Sequence, residues 1–154
     1  ADNKSRRVNV TRVKPALNGY QKGLCFYCYA PITIDSFLSH SAEVDHFFPH
    51  KLRECDIQKP INGVANLVLS CPECNRGSRG KFDRLPSLRL LADLHKRNEY
   101  LITSHHPLRE TLIAQTGFTE SHRRNFLQDA YNCATITLGT ATKWEPVSTG
   151  PRIF

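Results

Sequence analysis

The spacing of apolar residues changes character near Pro86. Before it, short apolar runs are broken by turns and cysteines; after it, leucines recur at helical intervals. Residues 1 to about 11 are polar and basic, with Lys4, Arg6, Arg7 and Arg12 close together, a pattern that predicts a solvated, poorly ordered start. Arg12 to Gly23 predicts a short helix with Pro15 near its beginning, Gly23 at its end, and Leu17 and Tyr20 facing inward. Pro31 to Asp35 predicts a short extended piece, Ala42 to Phe48 a strand, and Asn66 to Ser70 a second strand. The polar stretch from Lys51 to Val64 lies between the two strands and carries an Asn62-Gly63 turn signal. Pro72 suits the first turn of a helix, where the missing proline N–H is not needed.

Beyond Pro86, Ser87 is placed to cap a helix through Leu88, Leu91, Leu94 and Leu101. A second helix begins around Ser104-His105-His106-Pro107, carries Leu108, Leu112 and Ile113, and stops at Gly117. Thr119 caps a third through Phe126, Leu127, Ala130, Tyr131 and Ala134 toward Gly139. Lys143 to Phe154 reads as an irregular tail anchored by Trp144. The expected fold class is therefore α+β, with a basic arm and helix over 1–19, a cysteine-bearing core over 20–85, a helical extension over 86–142 and a tail over 143–154.

Composition narrows the partner. In 154 residues, 21 Lys and Arg face 14 Asp and Glu, a formal charge of +7 that favours an acidic partner such as nucleic acid. No apolar run approaches the roughly 18 residues of a membrane helix, and the start lacks the apolar centre of a signal peptide. Both features predict a soluble, cytoplasmic protein with no membrane partner.

The cysteines carry the strongest signal. Cys25/Cys28 and Cys71/Cys74 form two Cys-x-x-Cys pairs, and each such turn presents two soft sulfur ligands from one tight loop. Together they close a tetrahedron with no open position, which predicts a structural Zn²⁺ site. Cys55 and Cys133 stand alone and are expected to be free thiols.

The long spacer between the pairs holds Glu43-Val44-Asp45-His46-Phe47-Phe48-Pro49-His50, and its end runs into the second pair as Ala65-Asn66-Leu67-Val68-Leu69-Ser70-Cys71-Pro72-Glu73-Cys74-Asn75-Arg76. Over about residues 20 to 85 the chain resembles the HNH nucleases, the ββα-metal endonucleases, many of which carry such knuckles. The resemblance implies that His46 is the general base, that Asp45 binds a catalytic divalent metal, and that Asn66 clamps the histidine-bearing loop. Asn75 stands where the family name would put a second histidine, so the chain looks like an H-N-N variant with Asn75 as the second protein ligand. An Asp/Asn oxygen pair points to Mg²⁺ or Mn²⁺. An imidazole of pKa about 6.5 is largely neutral at pH 7 and can accept a proton from water.

His50 is a further candidate for contact with the scissile phosphate. Arg76, Arg79, Lys81 and Arg84 form a cationic run expected to meet phosphates, with Gly77 and Gly80 allowing close backbone approach. His95 falls in the leucine-rich helix and is expected to pack. The implied activity is metal-dependent hydrolysis of DNA, double-stranded by expectation, in restriction, defence or phage DNA processing. Specificity would come from the helical extension, a fused domain of a longer chain, or a partner. One site cuts one strand, so a double-strand break needs a homodimer or sequential nicks. Two alternatives stand beside it: a non-catalytic zinc-knuckle DNA-binding module, and a nuclease directed at RNA.

Overall fold

The computed structural model describes residues 2–35, 37, 38, 40–50, 52, 62–139 and 143–154, with side chains from residue 12 onward. Cys55 and most of the polar stretch after Lys51 lie outside the described residues. The chain is mixed α and β: α1 (Asp2–Gln21), β1 (Glu43–His46), a 3₁₀ turn (Val64–Asn66), β2 (Leu67–Ser70), α2 (Pro72–Arg76), β3 (Leu85–Pro86), α3 (Leu88–Thr103), α4 (Arg109–Thr116), α5 (Glu120–Leu138) and β4 (Lys143–Trp144). None of the described helices is long and apolar enough to cross a membrane.

These elements form two compact units that interleave along the chain. One comprises Ala1–Asp45, Leu67–Phe82 and Glu145–Phe154; the other comprises His46–Asn66 and Asp83–Trp144. This differs from the sequential order expected from the sequence. Residues 46–66 group with the helical extension, and the tail after Trp144 returns to the cysteine-bearing unit.

In the first unit α1 packs against β2. The helix begins ten residues earlier than its apolar pattern suggests, because neither Gly nor Pro interrupts the run from Asp2 to Lys14. Leu17 is fully buried, and so is Gln21. Gln21 is buried without loss because its amide substitutes for a strand neighbour. Its Nε2 donates to Leu24 O (2.7 Å) and Leu69 O (2.9 Å), and its Oε1 accepts from Leu69 N (3.0 Å). β1 pairs with β2 in a two-stranded sheet. The tail ends here too: the Phe154 ring lies 5.2 Å from Tyr20 and 5.0 Å from Tyr29, and Gly150 N donates to Cys28 O.

In the second unit the three expected helices form, although Ser104 ends α3 and α4 starts only at Arg109. The Thr119 hydroxyl accepts from His122 N (3.1 Å) at the start of α5, whereas the Ser87 side chain makes no capping bond to α3. The buried stripe of α3 runs through Leu90, Leu91, Leu94, Leu101 and Ile102, while Leu88 is half exposed. β3 and β4 pair in parallel, Leu85 opposite Lys143 and Pro86 opposite Trp144. Trp144 is buried, as expected of an anchor. Tyr131 on α5 donates its hydroxyl to Pro86 O (2.7 Å). Cys133 is disulfide-bonded, which corrects the free thiol expected there.

Candidate active site

The four paired cysteines come together in the first unit. Their sulfurs all lie within 4.8 Å of one another, with Cys28 and Cys71 Sγ 3.7 Å apart, so the cluster is placed to hold a metal ion. Each knuckle is shaped by backbone bonds to its own sulfur: Tyr27 N donates to Cys25 Sγ and Cys74 N to Cys71 Sγ, both at 3.4 Å. The first turn closes by Tyr29 N to Cys25 O, with Tyr29 in the left-handed region (φ 63°). The second is the start of α2, with Cys71 as N-cap and Pro72 in the first turn. Crowding couples the four thiols: hydrogen bonds from Cys28, Cys71 and Cys74 pull Cys25 well below the ordinary thiol value, and the bond to Cys25 pushes Cys74 up.

Asp45, on β1, is nearly buried. Its Oδ2 accepts from the Tyr27 hydroxyl (2.6 Å) and pairs with Lys81 Nζ (3.3 Å). Burial, then the Asp45 carboxylate, hold the Tyr27 phenol well above its usual pKa, so it stays a donor. No described residue donates to Asp45 Oδ1.

Lys81 corrects an expectation. It was grouped with the phosphate-facing cations, yet its side chain is 0 % exposed and cannot reach a nucleic acid surface. The cause is the chain return after α2, where Gly80 N bonds Gly77 O, Lys81 N bonds Cys74 O and Phe82 N bonds Asn75 O. The glycines serve this return directly: a Cβ on Gly77 would meet Glu73 O at 2.5 Å, and one on Gly80 would meet Gly77 N at 2.8 Å. Internal crowding therefore already requires both glycines.

Asn75 is half-buried, and its Nδ2 donates to Glu43 Oε1 (2.9 Å). A carboxylate can only accept, so the amide orientation is fixed and Asn75 Oδ1 is left without a described donor. Glu43 also holds Arg76, whose Nε lies 2.8 Å from Oε2. Glu43 and Asp45 are two apart on β1 and so share a face. Two hard oxygens, Asp45 Oδ1 and Asn75 Oδ1, thus belong to side chains fixed through their other atoms. That donor set suits Mg²⁺ or Mn²⁺. Arg76 and Arg79 are exposed in this unit, and Arg84 is exposed in the other.

The boundary between the two units falls at the peptide bond joining Asp45 to His46. In the second unit His46 Nε2 lies 2.8 Å from Asn62 Oδ1, and the His46 and His50 rings are 5.6 Å apart, edge to face. Asn66 closes the loop that follows His46. Its Oδ1 accepts from Phe48 N (2.7 Å), its Nδ2 donates to Phe48 O (3.0 Å), and its own O accepts from Phe47 N (2.8 Å). The helical unit in turn braces Asn66. Arg97, 0 % exposed, donates to Val64 O (3.0 Å), Asn98 Nδ2 to Ala65 O (3.3 Å), and Gln115 Oε1 accepts from Ala65 N (3.0 Å).

Asn66→Ala should destabilise the protein by about 2–4 kcal/mol in urea unfolding, because two buried backbone groups of Phe48 lose their partners. Asn66→Asp should recover only part, since it restores the acceptor and not the donor. A loss within about 0.5 kcal/mol of zero for Asn66→Ala would show that the clamp carries no weight.

A second cluster of possible ligands, His95, Glu99 and Glu120, sits on α3 and α5. Its carboxylates are already matched: Glu99 pairs with nearly buried Arg123 (2.9 Å), and Glu120 pairs with Arg124 (2.6 Å) and lies 2.9 Å from His95 Nε2. His95, and then Arg124, hold Glu120 below the ordinary carboxylate range. This cluster ties α3 to α5. His95 is therefore a hydrogen-bond partner of Glu120, beyond the packing role expected.

The sequence reading missed Tyr27, Glu43 and Asn62, which orient three of the candidate groups. Comparison with protein-family models, with curated proteins and with solved structures returns no match.

Proposed function

We propose that this chain is a divalent-metal-dependent endonuclease of the HNH type acting on DNA, with His46 as general base. The observation that carries the reading is the Asn66 clamp. An asparagine one residue before β2 bonds both backbone groups of Phe48, two residues after the histidine, as the middle asparagine of the motif requires. The order β1, β2, α2 supports the same reading, since it is the strand, strand and short helix of a ββα core. Zn²⁺ in the Cys25, Cys28, Cys71 and Cys74 cluster would be structural, because four sulfurs leave no position for substrate.

His46 takes a proton from water as the water oxygen bonds to phosphorus, and the bond to the leaving 3′ oxygen breaks. Asp45 and Asn75 would hold Mg²⁺ or Mn²⁺, which supplies charge stabilisation at the phosphate and at the leaving oxygen. Arg76, Arg79, Arg84 and His50 would contact phosphates. Each chain carries one such set, so a double-strand break takes two chains or two successive nicks.

One observation favours a second reading. Asp45 buried against Lys81 and Tyr27 is also what a purely structural carboxylate looks like, and a zinc-knuckle module that binds DNA without cutting it would need nothing more. Supercoiled plasmid with and without Mg²⁺ or Mn²⁺ separates the two. The proposed enzyme nicks only with the ion, and Asn75→Ala lowers the rate at least about tenfold at limiting metal. Binding without nicking under every condition overturns the proposal. Parallel duplex DNA, single-stranded DNA and RNA arms assign the substrate.

A further inference from the structure

The most unusual charge in the first unit is Lys81. A lysine is almost never fully buried unless paired, and the Lys81 ammonium lies 3.3 Å from Asp45 Oδ2 and 3.5 Å from Phe82 O. The same oxygen already accepts the Tyr27 hydroxyl at 2.6 Å. A phenol alone would fix the carboxylate's orientation. The ammonium adds something the phenol does not, a full positive charge on the carboxylate proposed to hold a divalent cation.

Two effects of opposite sign follow. Lys81 helps hold Asp45 in place, which favours ion binding; its charge repels the ion, which opposes binding. Repulsion dominates. Tyr27 keeps the shorter bond to Oδ2 when Lys81 is neutralised, so orientation survives, whereas a unit charge beside a doubly charged ion in a poorly solvated setting is not screened away. Glu43, the other acid on this face, spends its charge on Arg76 and on Asn75 Nδ2. Among the described residues, the carboxylate proposed to hold the ion is therefore already paired with a cation. A phosphodiester brings the negative charge that is missing.

We propose that Lys81 is a positioning residue that makes divalent-metal binding conditional on nucleic acid: it weakens the ion's hold on the free protein, and the phosphate of bound DNA offsets it. This rests on the metal-nuclease reading above and extends it to regulation of the same site. By linkage, the factor by which DNA tightens the ion is the factor by which the ion tightens DNA.

The test measures Mn²⁺ binding by electron paramagnetic resonance to the full zinc-loaded chain carrying His46→Ala, which prevents cleavage, with and without a short DNA duplex. The parent should bind Mn²⁺ at least about tenfold more tightly with DNA than without. Adding Lys81→Met should tighten binding to the free protein by about tenfold or more and shrink the effect of DNA. Lys81→Gln, which keeps a polar donor, should do the same and serves if the methionine variant fails to fold, as judged by zinc content and circular dichroism. Equal or weaker Mn²⁺ binding in a folded neutral variant overturns the proposal. So does a parent protein whose Mn²⁺ affinity ignores DNA, a result that needs no Lys81 variant. A protein with native His46 that nicks plasmid yet shows no such coupling loses only this inference; one that neither binds Mn²⁺ nor nicks loses the nuclease reading itself.

Discussion

His46→Ala should lower plasmid nicking by about 10²–10⁴-fold at saturating Mg²⁺, the range a positioned general base contributes. Loss of structure does not account for a fall of that size. The side chain is half-buried, and its bond to Asn62 is worth about 1 kcal/mol. A domain with the usual 5–15 kcal/mol of stability stays folded after such a loss. Zinc content and the thermal midpoint should therefore match the parent while the rate collapses. Asn62→Ala should sit between the two, because it removes one of the ring's bonds without removing the base. Nicking by His46→Ala at the parental rate, in a folded protein, would remove the general base and with it the enzyme.

What could be read from the sequence was whatever depends on near neighbours. The two cysteine pairs, the strand before His46, Pro72 at the start of α2 and the Thr119 cap are all fixed within four or five residues, and the structure places them accordingly. Lys81 was misread because its burial depends on a backbone return to Cys74, which spacing among Arg76, Arg79 and Arg84 does not reveal. A clue was present: Gly77 and Gly80 three residues apart suggest a turn tight enough to carry the next side chain inward.

Arg97 was passed over as a charged residue between leucines, yet it lies three residues after Leu94 and four before Leu101, on the buried stripe itself. A charge on that stripe signals a buried acceptor, and the acceptor is Val64 O, 33 residues away. The grouping of residues 46–66 with the helices could not be read locally at all. It rests on Arg97, Asn98 and Gln115 reaching the backbone of Val64 and Ala65. The helical extension thus has a structural task, the bracing of the segment that leads into Asn66.

Removing the proposed zinc from the four-cysteine cluster should unfold the first unit. Structural zinc contributes on the order of 10 kcal/mol to a folded domain, as much as the whole net stability of a typical one. Cys71 shows how little can substitute for it. Its sulfur caps α2 through Cys74 N, and it packs 3.7 Å from Cys28. Its backbone O accepts from Asn75 N and from the Ser70 hydroxyl. Cys71→Ser should abolish stoichiometric zinc, and a strong chelator should do the same to the parent. The two units carry separate optical reporters. Phe26, Tyr27 and Tyr29 are buried in the first, whereas Trp144, the single tryptophan, is buried in the second. Chelation without reductant, which spares the Cys133 disulfide, should therefore abolish much of the near-ultraviolet tyrosine signal before Trp144 fluorescence shifts. Asp45 and Asn75 lose their settings in the same step, so Mn²⁺ binding and nicking should fall together with the tyrosine signal. An apo protein that keeps that signal and its thermal midpoint would mean that the sulfurs are held in place by the fold and not the fold by the sulfurs.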